Sequence, residues 1–453
     1  MKHLSKLTLI LVLVMTMYQT EAQEANKTSF SLQESIDYSL KHSPNYLNAE
    51  LDLKSADFRR KEITGMGLPQ IAGSIDFKDY LSIPTSLLPA QIFGGPEGTF
   101  LPVKFGTKYN ATAGLSANWN ILNSDYFFGL QAQKEYMNLS KISVTRSKAD
   151  LVSQVTKAYY TVVISRDRLK SLDANIVKLK KTYDDTKATN AQGIMFELID
   201  VERLEVQYNN LLTEQEKTLR LIEISASLLK FQMGYAVNDP ITLTDSLNVE
   251  SNFQELSKTV DVTQRPDYKL LTSQQTLLDL DVKRLKYQFL PSLTLYGSYQ
   301  YNAQRNEFNF FEASNGDPSK KWFKVALVGA TLNLNIFTGW QRMNRIEQTK
   351  ITAYKNQNTI KNLELAAQLE ASTASVNYTN AYSSLLRQKK NLELAEHVAE
   401  VARKKYQSGI GSNIEVVTAE SDLTSAQTNY YNSVFDMIVA KTDYLKATGT
   451  LVK

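Results

Sequence analysis

Four stretches of the chain alternate apolar and polar residues at every second position, the period of a β-strand. They cover residues 70–80, 108–122, 291–302 and 324–337. In the first, Ile71, Gly73 and Ile75 fall on one side, and the residues between them are small or polar. The polar side of the four stretches is rich in Asn, Ser and Thr. The pattern predicts strands with one apolar face, about as long as the 9–11 residues that a tilted strand needs to cross a membrane.

The rest of the chain repeats its apolar residues at steps of three and four, which predicts helices that pack as coiled coils. The clearest stripe follows one face of the last helix: Val416, Ala419, Leu423, Ala426, Tyr430, Ser433, Met437, Ala440, Tyr444. The predicted helices cover residues 43–67, 125–190, 198–234, 265–289, 340–408 and 414–448. Glycine-containing tip turns at 191–197 and 409–413 separate each long helix from the helix that returns.

The order of these elements occurs twice. Pro266 follows Pro44 by 222 positions, and Leu290-Pro291 follows Leu68-Pro69 by the same number. Glu420 follows Glu205 by 215 positions. We therefore predict two repeats, residues 23–240 and 241–453, each with a short helix, two strands, a long helix, a tip turn and a returning helix.

The first 22 residues combine a lysine-bearing start, an apolar run from Leu7 to Met17 and small residues at the end. This is typical of a secretory signal peptide. The chain contains no cysteine, so an exported protein of this length holds together without disulfides, as suits a bacterial envelope. Its 51 basic and 47 acidic residues leave a net charge of +4, which does not indicate a nucleic-acid partner.

Four strands with one apolar face each could belong to the sheet of a soluble protein, with one face packed on a core and the other exposed to solvent. The polar side chains of the alternate face favour a water-filled lumen instead, and Tyr80, Tyr109 and Tyr301 lie near strand ends, where an aromatic girdle is expected. A sheet that crosses lipid must close, because open edges leave backbone groups unpaired. Four strands are fewer than the roughly eight of the smallest barrels, so closure requires more than one copy.

The combined pattern resembles the TolC-like outer membrane efflux protein family. The resemblance rests on the signal peptide, the two repeats, Leu-Pro before each first strand, "WNILNS" and "LNIFTG" after each second strand, and Tyr-x-x-Gly at residues 406–409. It implies a mixed α+β membrane protein: a homotrimer whose four strands per protomer form a 12-strand transmembrane β-barrel, continued by a long α-helical coiled-coil barrel in the periplasm. The resemblance also implies a location in the bacterial outer membrane, with a long periplasmic portion. The implied partners are a periplasmic adaptor (membrane fusion) protein, an inner-membrane pump and outer membrane lipid.

The resemblance also assigns roles to particular residues. Asp200 and Glu415 match an acidic ring at the periplasmic aperture, and Tyr406 matches a tyrosine that latches the aperture closed. The tips that dock the adaptor match Gly193, Ile194, Gly409 and Ile410. From the residues themselves, Tyr406 can equally be a heptad core residue and Glu415 part of a solvated helix face.

This sequence departs from the family pattern near the same turns. Gly411 stands where some members carry a latch arginine, and Thr418 stands in place of a second ring acid. The first turn has one extra residue before Asp200. These differences leave the contacts of the closed aperture open.

The common catalytic and phosphate-binding motifs do not occur in the chain. It has three histidines, and no HExxH, GxSxG or phosphate-binding loop. We predict no catalytic residues, no cofactor and no metal site. The resemblance implies a passive export duct, the outer membrane channel component of a tripartite efflux or type I secretion system. The alternative is a coiled-coil envelope spacer or scaffold protein without a pore. A third interpretation, an outer-membrane enzyme, would require a nucleophile and a base that these motifs do not supply.

Overall fold

The computed structural model describes residues 28–193, 197–247, 261–312 and 315–452. Its helices are α1 (Leu32–His42), α2 (Pro44–Gly65), α3 (Ser124–Ala191), α4 (Leu198–Met233), α5 (Pro266–Tyr287), α6 (Gln341–Gln407) and α7 (Asn413–Ala447). Its strands are β1 (Ser29–Phe30), β2 (Gln70–Asp79), β3 (Thr85–Pro89), β4 (Phe100–Lys104), β5 (Tyr109–Leu122), β6 (Thr242–Leu243), β7 (Ser292–Arg305) and β8 (Phe323–Asn333). The predicted signal peptide, residues 1–22, lies outside the described residues.

The chain divides into two compact units, neither of which is continuous in sequence. Unit 1 takes residues up to Leu51, Ile142–Lys269 and Lys361–Lys453, and unit 2 takes Asp52–Lys141 and Leu270–Ile360. Each unit therefore contains a part of each predicted repeat.

Unit 2 contains a four-stranded antiparallel sheet in the order β2-β5-β7-β8. Its register aligns the predicted apolar positions across all four strands: Ile71 lies opposite Ala117, Ala117 opposite Gly297, and Gly297 opposite Val328. Ser116, Ser298 and most other polar residues of the strands share the opposite face. The period-two pattern thus places the two kinds of side chain on opposite sides of one sheet.

The apolar face of this sheet is uncovered within the described chain. Ile71, Ile75 and Val328 are 73%, 86% and 90% exposed. β2 and β8 form the two edges of the sheet, so each has one side without a strand partner in the described residues. A face of this kind needs an apolar partner, and edges of this kind need further strands.

The strand predicted over 324–337 ends at Asn333. Its neighbour β7 begins at Ser292, which lies opposite Asn333, so the residues after Asn333 have no strand beside them on that side. Pro291 stops the neighbour at this point because it has no backbone N–H to donate. The strand predicted over 291–302 continues to Arg305, which lies opposite Tyr109 on β5.

Within unit 2, hydrogen bonds connect the helices to the ends of the strands that adjoin them. The indole nitrogen of Trp119, on β5, donates to the carbonyl of Gly67 at 2.8 Å. The carboxylate of Asp125, in the first turn of α3, accepts from Arg284 at 2.8 Å and from Gln288 at 2.6 Å, both near the end of α5. These bonds fix the places where helix gives way to strand.

The core of unit 1 lies among α3, α4, α6 and α7. One cluster of buried side chains contains Leu172, Leu204, Ala399, Val416 and Leu423, so all four helices contribute to it. Fully burying an aliphatic side chain of this kind contributes about 1.5–3 kcal/mol, and the repeated three-four spacing supplies one such residue at nearly every turn.

A second cluster in unit 1 joins α3 and α4 to the start of the described chain, where Phe30 of β1 is 1% exposed. The hydroxyl of Tyr159 donates to the Phe30 carbonyl at 3.1 Å. The sequence patterns did not predict α1, the β1–β6 pair or the β3–β4 hairpin, which are short or irregular in pattern. Among the described residues, every helix is too short or too polar to be a membrane span.

Candidate functional site: the helix turns of unit 1

The turn after α3 carries the first predicted docking residues. Gly193 has φ +68°, a conformation that favours glycine, and its N–H donates to the Asn190 carbonyl at 2.9 Å. Ile194 lies outside the described residues. The chain resumes at Glu197, whose backbone carbonyl accepts from the Asp200 N–H at 3.0 Å at the start of α4.

The turn after α6 is tightly wound around one carbonyl oxygen. The N–H groups of Ile410 and Gly411 both donate to the Lys405 carbonyl, each at 3.1 Å, and Gly409 has φ +75°. A Cβ atom at Gly411 would approach the Lys405 Cβ to 2.9 Å. The Ile410 side chain is 82% exposed, so the turn presents an apolar residue to its surroundings.

Tyr406, the predicted latch residue, is 2% exposed and belongs to the core among the four helices. Its hydroxyl accepts from the Thr186 hydroxyl of α3 at 3.3 Å. The interpretation of Tyr406 as a heptad core residue therefore describes its place in this structure.

The two predicted ring acids stand in the first turns of α4 and α7. The Asp200 carboxylate is half-buried and accepts from the Glu197 backbone N–H at 3.2 Å. Glu415 is exposed, and its own N–H donates to the Ser412 hydroxyl at 3.4 Å. A carboxylate at a helix N-terminus is favoured by the helix dipole, so both acids have a local structural role as well.

A side-chain bond brings these two helix starts together. Asn413, at the start of α7, is 4% exposed and donates from its amide nitrogen to the Asp200 carbonyl at 2.9 Å. Beside Glu415, a shallow groove of about 470 Å³ is lined by apolar Val401 and Ile414 and by charged Lys405 and Asp422. Acidic and apolar groups thus occur together at this end of the helices.

The most deeply buried charged side chain of this region is one that the sequence motifs did not indicate. Glu420 is 1% exposed, and its Oε1 lies 3.2 Å from Nε of Arg403. That Nε donates instead to the Ala399 carbonyl at 3.1 Å, so Oε1 of Glu420 has no hydrogen bond among the described residues. Burial raises the pKa of the Glu420 carboxyl, while Arg403 and Lys178 act in the lowering direction.

Residues 277–449 match the family model for outer membrane efflux proteins. The outer membrane protein TolC of Vibrio cholerae is 21% identical to the chain over 352 residues, which cover 75% of the chain and 77% of that protein.

Solved structures resemble the chain over more of its length. The Campylobacter jejuni CmeC outer membrane channel superposes with a TM-score of 0.74 at 16% identity, covering 95% of this chain and 90% of that one. The open state of the Neisseria gonorrhoeae MtrE outer membrane channel superposes with a TM-score of 0.73 at 15% identity, covering 92% and 88%. At these identities the likeness establishes the fold, which this chain shares with those two outer membrane channels. Together with the family match, it confirms the resemblance to the TolC-like outer membrane efflux proteins.

Proposed function

We propose that the chain is the outer membrane channel of a tripartite efflux or type I secretion system. It is a passive export duct, and it catalyses no reaction. The observation that carries this proposal is the sheet of unit 2, which has an uncovered apolar face, a polar opposite face and two edges available for pairing. A sheet with these properties suits a segment of a membrane barrel, in which lipid covers the apolar face and neighbouring copies pair the edges.

The proposed assembly is a homotrimer. Three copies supply twelve strands, and the β8 edge of one copy pairs with the β2 edge of the next. The helices of unit 1 form the wall of a periplasmic duct, consistent with their mixture of buried stripes and exposed polar faces.

At the end of this duct we place an aperture lined by Asp200 and Glu415. Three copies of a carboxylate around a narrow axis attract cations and repel anions. We further propose that Tyr406 helps to hold this aperture closed, through its contact with Thr186. Gly193, Ile194, Gly409 and Ile410 would dock a periplasmic adaptor protein, which links the duct to an inner-membrane pump. The exposure of Ile410 supports a docking role.

The experiment that tests the function is reconstitution of the purified protein in planar lipid bilayers. We expect discrete single-channel currents, and we expect the protein to fractionate with outer membranes until detergent is added. A spacer without a pore would give no currents and would be released by washing. Either of those outcomes would overturn the proposal.

A further inference from the structure

Unit 2 contains a cavity of about 790 Å³ at the place where its sheet meets its helices. The lining residues come from the ends of β5, β7 and β8, from the first turns of α3 and α6, and from the end of α5 with the segment that follows it. Ligand sites in proteins commonly have volumes of about 300–1,000 Å³. The cavity is therefore large enough to hold a ligand.

Part of the lining continues the apolar face of the sheet. Leu122 lies opposite Leu293, and Leu293 lies opposite Leu332, on the face that also carries Val328. Leu122 and Leu332 line the cavity, and Leu332 is 64% exposed. The other large apolar side chains of the lining are those of Phe127, Phe128, Tyr287 and Leu290. This part of the cavity suits a hydrocarbon chain.

The remaining lining is mostly polar. Asn123, Ser292, Asn333 and Asn335 contribute amide and hydroxyl groups. Ser292 lies opposite Asn333, so both belong to the polar face of the sheet. A cavity that combines an apolar lining with a few polar groups suits a ligand that is apolar at one end and polar at the other.

Arg342 determines the charge of the cavity. The lining has two charged residues, Asp125 and Arg342. The Asp125 carboxylate is paired with Arg284 at 2.8 Å, so its charge is already matched. Arg342 forms no ion pair among the described residues, and its Nη1 is buried there without a hydrogen-bond acceptor. The guanidinium carbon lies 4.8 Å from the centre of the Phe289 ring. A strong donor thus lacks its acceptor.

The missing acceptor is best supplied by an anion. A guanidinium group presents several N–H donors in one plane, and these match the oxygens of a phosphate or carboxylate. Arg342 is also the second residue of α6, and the N-terminal end of a helix carries a positive partial charge. Since the adjoining lining is apolar, the anionic group should be attached to a hydrocarbon chain.

The residues just before α6 have the character of a membrane interface. Trp340 is 66% exposed and has φ +63°, a conformation that is uncommon for a bulky residue. Phe337 is 74% exposed, and the centres of the two rings are 6.1 Å apart. Exposed aromatic residues form girdles where membrane barrels meet water. Arg342, two residues after Trp340, would then lie at the depth of lipid headgroups.

We propose that this cavity binds one phospholipid from the membrane leaflet that faces the periplasm. Arg342 donates to the phosphate, and Leu122 and Leu332 contact an acyl chain. The site rests on the proposed function, which places the sheet in the outer membrane and the helices in the periplasm. A single chain supplies all of these residues, so each copy holds its own phospholipid.

Native mass spectrometry of the full-length protein, with phosphatidylglycerol added to the detergent, tests the phosphate contact. We expect one phospholipid per chain, and we expect Arg342→Gln to weaken its binding about tenfold, the effect of losing one hydrogen bond to a charged group. Arg345→Gln is the control, because Arg345 is exposed on the same helix and does not line the cavity. Equal binding by the two variants, or no phospholipid retained by the wild type, would overturn the site.

A second pair of variants tests the acyl-chain contact. Leu332→Ser should weaken binding of phosphatidylglycerol several-fold, and it should still fold, since the side chain is largely exposed. Leu327→Ser is the control on the same strand, because Leu327 lies opposite Ser298 on the polar face. Equal binding by these two variants would contradict the contact with an acyl chain.

Competition identifies the source of the phosphate. An excess of inorganic phosphate should leave the phospholipid bound, whereas displacement by inorganic phosphate would show a site for a free anion and overturn the proposal. Single-channel currents from a protein that retains no phospholipid would overturn the site and leave the channel standing. A soluble protein without currents would overturn the proposed function, and the site with it.

Discussion

Burial of a single side chain depends here on which of the two predicted repeats contains it. Glu205 and Glu420 occupy equivalent positions 215 residues apart, yet Glu205 is exposed and Glu420 is 1% exposed. The sequence shows that the two positions correspond, but both stretches carry the same glutamate at the same heptad place. The difference arises because α7 packs against α3 of the same chain, a contact that local periodicity does not encode.

Glu420 gives a prediction about pH. Its carboxyl has a raised pKa in the folded protein because it is buried, so protonation favours the folded state. Its contribution to stability is present at low pH and is lost as the pH rises through the raised pKa. We expect the unfolding temperature of the wild type, measured relative to that of Glu420→Gln, to increase as the pH falls from about 8 to about 4.

The control for Glu420 lies on α6. Hydrogen bonding to Lys404 lowers the pKa of the exposed Glu400, so Glu400→Gln should show a small dependence of the opposite sign. Glu420→Ala should cost about 3–5 kcal/mol, because it leaves the Arg403 charge buried without its partner. Equal pH profiles for the two Gln variants would show that Glu420 is not the buried group described here.

The proposed aperture role of Asp200 and Glu415 can be tested by removing their charge while keeping their size. Glu415→Gln and Asp200→Asn remove charge but keep an oxygen that can accept a hydrogen bond. We expect each to reduce the preference of the channel for cations in planar bilayers, because the negative charge around the axis falls. Thr418→Ala, one turn along α7 from Glu415, is the neutral control. Unchanged ion selectivity in both charge variants would remove these residues from the aperture.

At the scale of elements, the sequence predicted most boundaries within a few residues. Pro44 and Pro266 begin α2 and α5, and Leu-Pro ends the helical pattern before β2 and β7, because proline suits a first helical turn and cannot continue one. The alternation of the strands predicted the faces of the sheet. It did not predict where β8 ends, since that depends on the neighbouring strand.

The turn between α6 and α7 is sensitive to a small substitution. Gly411→Ala should destabilise the protein by about 1–3 kcal/mol, because the added methyl group would meet the Lys405 Cβ at 2.9 Å. Gly65→Ala is a matched control, since a Cβ there would have no atom within 4 Å. Chemical or thermal unfolding of both variants measures the difference. A Gly411→Ala variant as stable as Gly65→Ala would show that the turn is not as tight as described.

At the scale of the whole molecule, one chain does not complete the sheet of unit 2. Among the described residues, a single copy leaves the apolar face of the sheet uncovered and the outer sides of β2 and β8 without a strand partner. In the proposed homotrimer, lipid would cover the apolar face and neighbouring copies of the chain would pair the edges. The sequence predicted this need for closure, because four strands are too few to form a barrel.

The most direct measurement is the native mass of the protein after extraction from outer membranes in mild detergent. We expect a complex of three identical chains that aggregates when detergent is removed. A protein that stays monomeric, folded and soluble in buffer without detergent would contradict it.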